Sequence, residues 1–198
     1  MNDRHVWFSR RTESGLSIRF PSVFESNGIL TQYWLVFDSM TPTKKVVLLG
    51  AARAGKTSLA SRLMFDRFDP DQAPTIGVEL YEFKQSMADR DIDVLLWDTD
   101  SELGDDVLKQ EFAKGADAAL VVADATDANS INEALSMRDR FLEQFPRARA
   151  VIALNKTEEN VIEKSQAVSS LKQLPYAILC SAKTGSGVKQ AILQALDL

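Results

Sequence analysis

Apolar residues along this chain gather into short unbroken runs. Val46–Leu49, Val94–Trp97, Ala118–Ala123, Val151–Leu154 and Ala177–Cys180 are each too apolar for strands with one wet face. They predict strands of a mostly parallel sheet covered on both sides. Tyr81–Phe83, before a turn near Ala88–Asp91, predicts a sixth strand forming a hairpin with Ile92–Trp97. Between the runs the spacing changes to helical. Ser130-Ile131-Asn132-Glu133 has the capping-box pattern, and Ile131, Ala134, Leu135, Phe141, Leu142 and Phe145 share one helical face until Pro146. Val188, Ala191, Ile192, Ala195 and Leu196 repeat that spacing after the loop Thr184-Gly185-Ser186-Gly187. Strands alternating with helices, with one hairpin, predict a three-layer α/β fold around six strands.

Composition narrows the class. At 198 residues the chain accommodates one domain, residues 44–198, with an appendage of residues 1–43. That appendage carries Trp7, Phe8, Phe20, Phe24, Tyr33, Trp34 and Phe37, too many aromatics for an ordinary disordered tail. Tyr33–Phe37 has strand composition and Thr41-Pro42-Thr43 that of a short linker. Two readings stay open: a docking arm, or an extension upstream of a true start at Met40. A net charge of −5 lacks the broad basic surface of a nucleic-acid binder, so no nucleic-acid partner is expected and bound phosphate belongs in a local pocket. The single cysteine, Cys180, reads as a packing residue of a cytoplasmic protein. The last residues, Gln194-Ala195-Leu196-Asp197-Leu198, offer no prenylatable cysteine, so no lipid anchor is expected.

The chemistry begins where the first apolar run ends. Gly50-Ala51-Ala52-Arg53-Ala54-Gly55-Lys56-Thr57 has phosphate-loop spacing between a buried strand and a helical stretch, Ser58–Leu63. Gly50 and Gly55 let the backbone curl so that its N–H groups, with those of Arg53, Ala54 and Ser58, face phosphate oxygens at the positive end of the helix. Lys56 brings a positive charge to the outer phosphates, and the Thr57 hydroxyl is a hard oxygen suited to Mg²⁺.

Four further motifs follow in order: Pro74-Thr75-Ile76-Gly77, Leu96-Trp97-Asp98-Thr99, Asn155-Lys156 and Ser181-Ala182-Lys183. With Lys45–Gly50 they make the chain resemble the Ras superfamily of small GTPases, the Rab branch most closely, over about Lys44–Leu196. The resemblance implies a P-loop G domain that binds GTP and GDP with Mg²⁺. It implies that Thr75 is the first-switch threonine, touching the metal and sensing the γ-phosphate, and that Asp98 holds the metal through water. Phe68 would shield the guanine, with Ser181, Ala182 and Lys183 completing its pocket through backbone N–H groups. Asn155-Lys156-Thr157-Glu158 resembles the guanine-reading motif, which in the family ends in aspartate. A carboxylate suits that place because guanine offers N1–H and a 2-amino group side by side, and adenine does not. Effector and regulator proteins would meet the switch regions near residues 67–79 and 98–113.

The second switch departs from the family. Where relatives have Asp-Thr-Ala-Gly-Gln, this chain has Asp98-Thr99-Asp100-Ser101-Glu102. Ser101 replaces a glycine that lets the backbone turn towards the γ-phosphate. Glu102 stands at the catalytic position of a water-orienting amide and adds negative charge beside a transition state already rich in it. Two functions are therefore expected to compete: a GTPase switch with impaired hydrolysis, and a pseudo-GTPase adaptor that works through its surface. Asn155-Lys156 with Ser181-Ala182-Lys183 sets aside a phosphate-loop kinase or ATPase.

Overall fold

A computed structural model describes residues 7–12, 17–21, 42–75, 77–86, 91–99, 112–158 and 175–198, the first two stretches as backbone. The expected second-switch residues Asp100, Ser101 and Glu102, the Tyr33–Phe37 strand, Met40 and most of the Ala88–Asp91 turn lie outside these residues.

Among the described residues, eight strands and three helices follow in chain order: β1 (Trp7–Thr12), β2 (Ser17–Pro21), β3 (Thr43–Leu49), α1 (Lys56–Phe65), β4 (Val78–Ser86), β5 (Asp91–Thr99), β6 (Ala118–Asp124), α2 (Ala128–Gln144), β7 (Arg149–Asn155), β8 (Ala177–Leu179) and α3 (Val188–Leu196). They form one sheet in the order β2-β1-β4-β5-β3-β6-β7-β8. The hairpin β4–β5 is antiparallel, pairing Val78 with Thr99 through to Ser86 with Asp91. From β5 across β3, β6 and β7 to β8 every pairing is parallel.

The apolar runs are strands because both of their faces are covered. On one face Val46, Leu48, Tyr81, Val94, Leu96, Leu120 and Val122 pack with Leu59 and Ala60 of α1 and Ala191, Ile192 and Ala195 of α3. On the other, Val47, Ala119, Val121, Ile152 and Leu154 pack with Ile131, Ala134 and Phe141 of α2. Burying one such aliphatic side chain contributes about 1.5–3 kcal/mol. The three layers are therefore held by alternate residues of the same strands, and the ends of β3, β5 and β7 are fixed where the chemistry-bearing loops begin.

The expected fold holds with an addition, and two smaller expectations need correction. The six expected strands are present, but residues 7–21 add two more: β1 pairs parallel with β4, from Phe8 beside Val78 to Thr12 beside Glu82, and β2 pairs antiparallel with β1. The segment at Thr41–Thr43 is not all linker, since Thr43 opens β3. The capping residue of α2 is Asp127, whose carboxylate accepts the Asn129 N–H at 2.9 Å, and not Ser130. Ser130 lies in the first turn, buried, and its hydroxyl accepts the Asp124 N–H. Asp127 stands just before the helix in extended backbone, where its carboxylate meets a free first-turn amide, whereas Ser130 already lies inside that turn.

The hairpin bears on a testable outcome. Removing residues 1–39 deletes no chemistry-bearing motif but uncovers the unpaired backbone edge of β4. The shortened chain is expected to melt cooperatively, a few degrees below the full chain, at about 2–4 °C per kcal/mol lost for a protein this size. GDP should raise both melting temperatures. An aggregated or unfolded truncation would show instead that the N-terminal segment completes the core.

Candidate functional site

The phosphate loop turns back on itself between β3 and α1, and two glycines make that possible. Gly50 has φ +136°, and a Cβ there would lie 2.1 Å from the Val122 carbonyl oxygen. Gly55 has φ +95°, and a Cβ there would lie 2.3 Å from Asn155 Nδ2. No side chain therefore fits at either place. Ala54 is buried inside the turn, while Arg53 sits exposed at its tip in the left-handed region, φ 62°.

Gly55 also serves as the N-cap of α1 and brings no side-chain acceptor, and the first turn holds no acidic residue. The amides of Lys56, Thr57 and Ser58 thus open a positive helix end that the cap leaves to an incoming anion. Lys56 is buried, and its ammonium donates to the carbonyls of Gly50 and Ala51, both at 3.0 Å. A cation is held over the mouth of the loop.

Beside it, three residues distant in sequence converge. Thr57 Oγ1 donates to Asp98 Oδ2 at 2.6 Å and lies 2.5 Å from Thr75 Oγ1, which is itself 3.4 Å from Asp98 Oδ2. Asp98 is fully buried at the end of β5, and its second oxygen, Oδ1, has no hydrogen-bond partner. Burial, with the nearby Glu79 charge, pushes its carboxyl up to about 6 against the Thr57 hydrogen bond and the Lys56 charge. One carboxylate with an open oxygen and two hydroxyls make a set of hard oxygen donors. That set is of the kind that would suit Mg²⁺, a hard cation that takes oxygen ligands. No cluster of three His, Cys, Asp or Glu residues occurs among the described residues, so a zinc-type site is not formed by them.

The third part lies where β7 ends. Asn155 is buried and engaged at both ends of its amide: Nδ2 donates to the Ala54 carbonyl at 3.0 Å, and Oδ1 accepts the Ala182 N–H at 2.9 Å. It ties the phosphate loop to the Ser181–Lys183 loop. Thr157 adds a second tie, donating from both its N–H and its hydroxyl to the Cys180 carbonyl. Lys156, in the left-handed region at φ 65°, forms an ion pair with Asp124. Burial works against the Asp124 charge, but hydrogen bonds from Lys156 and Thr126 outweigh it and hold that carboxyl below its usual range. Glu158 is half-buried, and its Oε2 is buried with no hydrogen-bond partner. Two carboxylate oxygens here are thus buried without a donor, one on Asp98 at the end of β5 and one on Glu158 beyond the end of β7.

The remaining expected base residues are placed unevenly. The Ser181 and Ala182 amides are engaged inside the protein, donating to Ser186 and Asn155. Lys183 is exposed, and Phe68 stands on the surface after α1, 36 % exposed. Cys180 is buried just beyond β8, its thiol pushed up to about 12 by burial, which suits a packing role.

Two contacts were not visible in the residue pattern. Asn155 joins loops 101 and 27 residues away, and Arg62 of α1 donates to the carbonyls of Ala182 and Lys183. The only local signal at Arg62 is its spacing four residues before Asp66, which reads as a surface ion pair.

A model of the Ras family matches residues 45–198. That span begins within β3, which feeds the phosphate loop, and takes in the Thr57–Thr75–Asp98 cluster, Asn155–Glu158 and Ser181–Lys183. The chain belongs to the Ras family, the GTP-binding small GTPases.

Proposed function

We propose that this protein is a Rab-type switch that binds GTP and GDP with Mg²⁺ and hydrolyses GTP more slowly than ordinary relatives. The observation that carries the metal requirement is the buried, open Asp98 Oδ1 beside the paired hydroxyls of Thr57 and Thr75. Held by those two hydroxyls and, through water, by Asp98, Mg²⁺ would neutralise charge developing on the outer phosphate oxygens. Lys56 and the amides opening α1 hold the phosphates in place. Thr75 follows an exposed stretch, residues 71–74, and its hold on the site would depend on whether the γ-phosphate is there. Effectors and regulators would read that difference along residues 67–79 and 98–113, in the cytoplasm.

The slow step follows from the sequence Asp100-Ser101-Glu102. Glu102 cannot donate to the attacking water as an amide does, and its charge opposes the transition state. Ras-type proteins without a partner turn over on the order of 10⁻⁴ s⁻¹. A single-turnover measurement is expected to give a lower rate here. Ser101→Gly with Glu102→Gln should raise it about tenfold, equivalent to about 1.4 kcal/mol of barrier. An ordinary wild-type rate that the double substitution slows would make Glu102 a working catalytic residue. Absence of turnover in both proteins, with GTP still bound, would instead support the adaptor reading, in which the same acidic segment serves only for protein contacts.

A further inference from the structure

The side chain of Arg62 joins the two ends of the site, and nothing in the phosphate or base motifs accounts for it. It leaves the last turn of α1 and is mostly buried, its side chain 15 % exposed. Nε donates to the Ala182 carbonyl at 2.8 Å and Nη2 to the Lys183 carbonyl at 2.7 Å. Nη1 donates to the Asp66 carbonyl at 2.9 Å and to its carboxylate at 2.8 Å. Asp66 closes α1 in a left-handed C-cap, so the guanidinium is braced against its own helix end while its other edge grips the loop.

We infer that Arg62 is a positioning residue for guanine selectivity: it fixes the Ala182–Lys183 backbone at a set distance from the phosphate-binding end of α1. This rests on the proposed guanine-nucleotide reading of the site. The helix is the spacer. Lys56 and Thr57 stand at its first residues and Arg62 six residues on, about 9 Å along a rigid axis at 1.5 Å per residue. The Ala182 backbone is held on both sides, its carbonyl by Arg62 and its N–H by Asn155 Oδ1. Asn155 in turn holds the Ala54 carbonyl of the phosphate loop. Phosphate loop, α1, Arg62, the Ala182 backbone and Asn155 therefore close a ring, and the distance between phosphates and base is set by that ring.

The chemistry of the link requires arginine. Two neighbouring carbonyl oxygens take Nε–H and Nη2–H from one edge of a planar fork, an arrangement a single ammonium cannot reproduce. Gly185 packs over the same side chain, where a Cβ would stand 3.5 Å from Arg62 Cδ. Asp66 contributes less to the placement, because its side chain is 92 % exposed and its ion pair is screened by water.

The test uses the full chain, loaded with a fluorescent GDP analogue, and the variants Arg62→Ala, Arg62→Lys and Asp66→Asn. Two quantities are read: the rate of analogue release on dilution into GDP, and the ratio of unlabelled ADP to unlabelled GDP needed for half displacement. Arg62→Ala is expected to release the analogue roughly 10- to 100-fold faster, the scale of losing charge-assisted hydrogen bonds, and to lower the ADP-to-GDP ratio. Arg62→Lys should recover part of both, and Asp66→Asn should leave both near wild type. A residue that only stabilises the fold would lower the melting temperature without changing the ratio. If the wild type prefers GDP and Arg62→Ala keeps both the rate and the ratio, the positioning role is wrong while the guanine site stands. Should Arg62→Ala fail to fold, Arg62→Lys decides alone, and an unchanged ratio overturns the inference. A wild type without preference for GDP overturns the parent reading, and this inference with it.

Discussion

Lys56→Ala is expected to remove most nucleotide affinity while leaving the fold standing. The lysine opens α1, buried, with its ammonium drawn over the loop by the Gly50 and Ala51 carbonyls. Its placement owes little to packing: the apolar contacts of α1 run through Leu59 and Ala60. What the substitution deletes is the charge proposed to meet the outer phosphates. Truncating one partner of a buried, hydrogen-bonded charge pair costs about 2–5 kcal/mol, or roughly 30-fold to a few thousand-fold in affinity. Calorimetric titration with GDP and Mg²⁺ measures the loss, and circular dichroism confirms that the variant is folded. Unchanged affinity in a folded variant would end the phosphate-binding role of this loop.

The second large effect is expected at Glu158, and it should appear in selectivity more than in affinity. Glu158 leaves a buried carboxylate oxygen without a donor, an arrangement that costs about 1–3 kcal/mol unless something arrives to satisfy it. Guanine supplies two donors in the geometry of a carboxylate, and a bidentate pair of this kind discriminates bases by about 1–3 kcal/mol. Glu158→Ala is therefore expected to narrow the GTP-over-ATP preference by roughly 10- to 100-fold. Glu158→Asp, which restores the acid that relatives carry, should keep the preference. Competition titrations on the two variants read the difference, and full selectivity in Glu158→Ala would make this residue an ordinary solvated acid.

Much of the fold was legible because its strands are buried on both faces. A run such as Ala118–Ala123 has no polar position to confuse the pattern, and β6 occupies Ala118–Asp124. The phosphate loop was legible for a different reason: its glycines stand where a Cβ would strike Val122 or Asn155, so the motif records a steric necessity. The N-terminal hairpin was hidden because it lies at the edge of the sheet. Trp7–Thr12 and Ser17–Pro21 carry arginines and serines, and nothing in their order says which edge they will meet. The start of α2 was misplaced because Asp127 and Ser130 both offer a capping oxygen, and only the three-dimensional path shows that Ser130 is occupied by the Asp124 amide. The ties made by Asn155 and Arg62 span 27 to 121 residues, and local spacing carries no trace of such contacts. The position of Thr75 beside Thr57, with the two hydroxyls 2.5 Å apart, is likewise a contact between residues 18 apart in the chain.

The guanine-nucleotide reading of the Gly50–Gly55 loop, the start of α1, the Thr57–Thr75–Asp98 cluster and Glu158 stands or falls on base selectivity. It is tested most directly by displacing a fluorescent GDP analogue from the wild-type chain in Mg²⁺, with GTP, GDP and ATP as unlabelled competitors. GTP and GDP are expected to displace the analogue at comparable, low concentrations, and ATP only at concentrations at least about a hundredfold higher, the scale of about 3 kcal/mol of base discrimination. ATP displacing the analogue as readily as GTP would contradict the account.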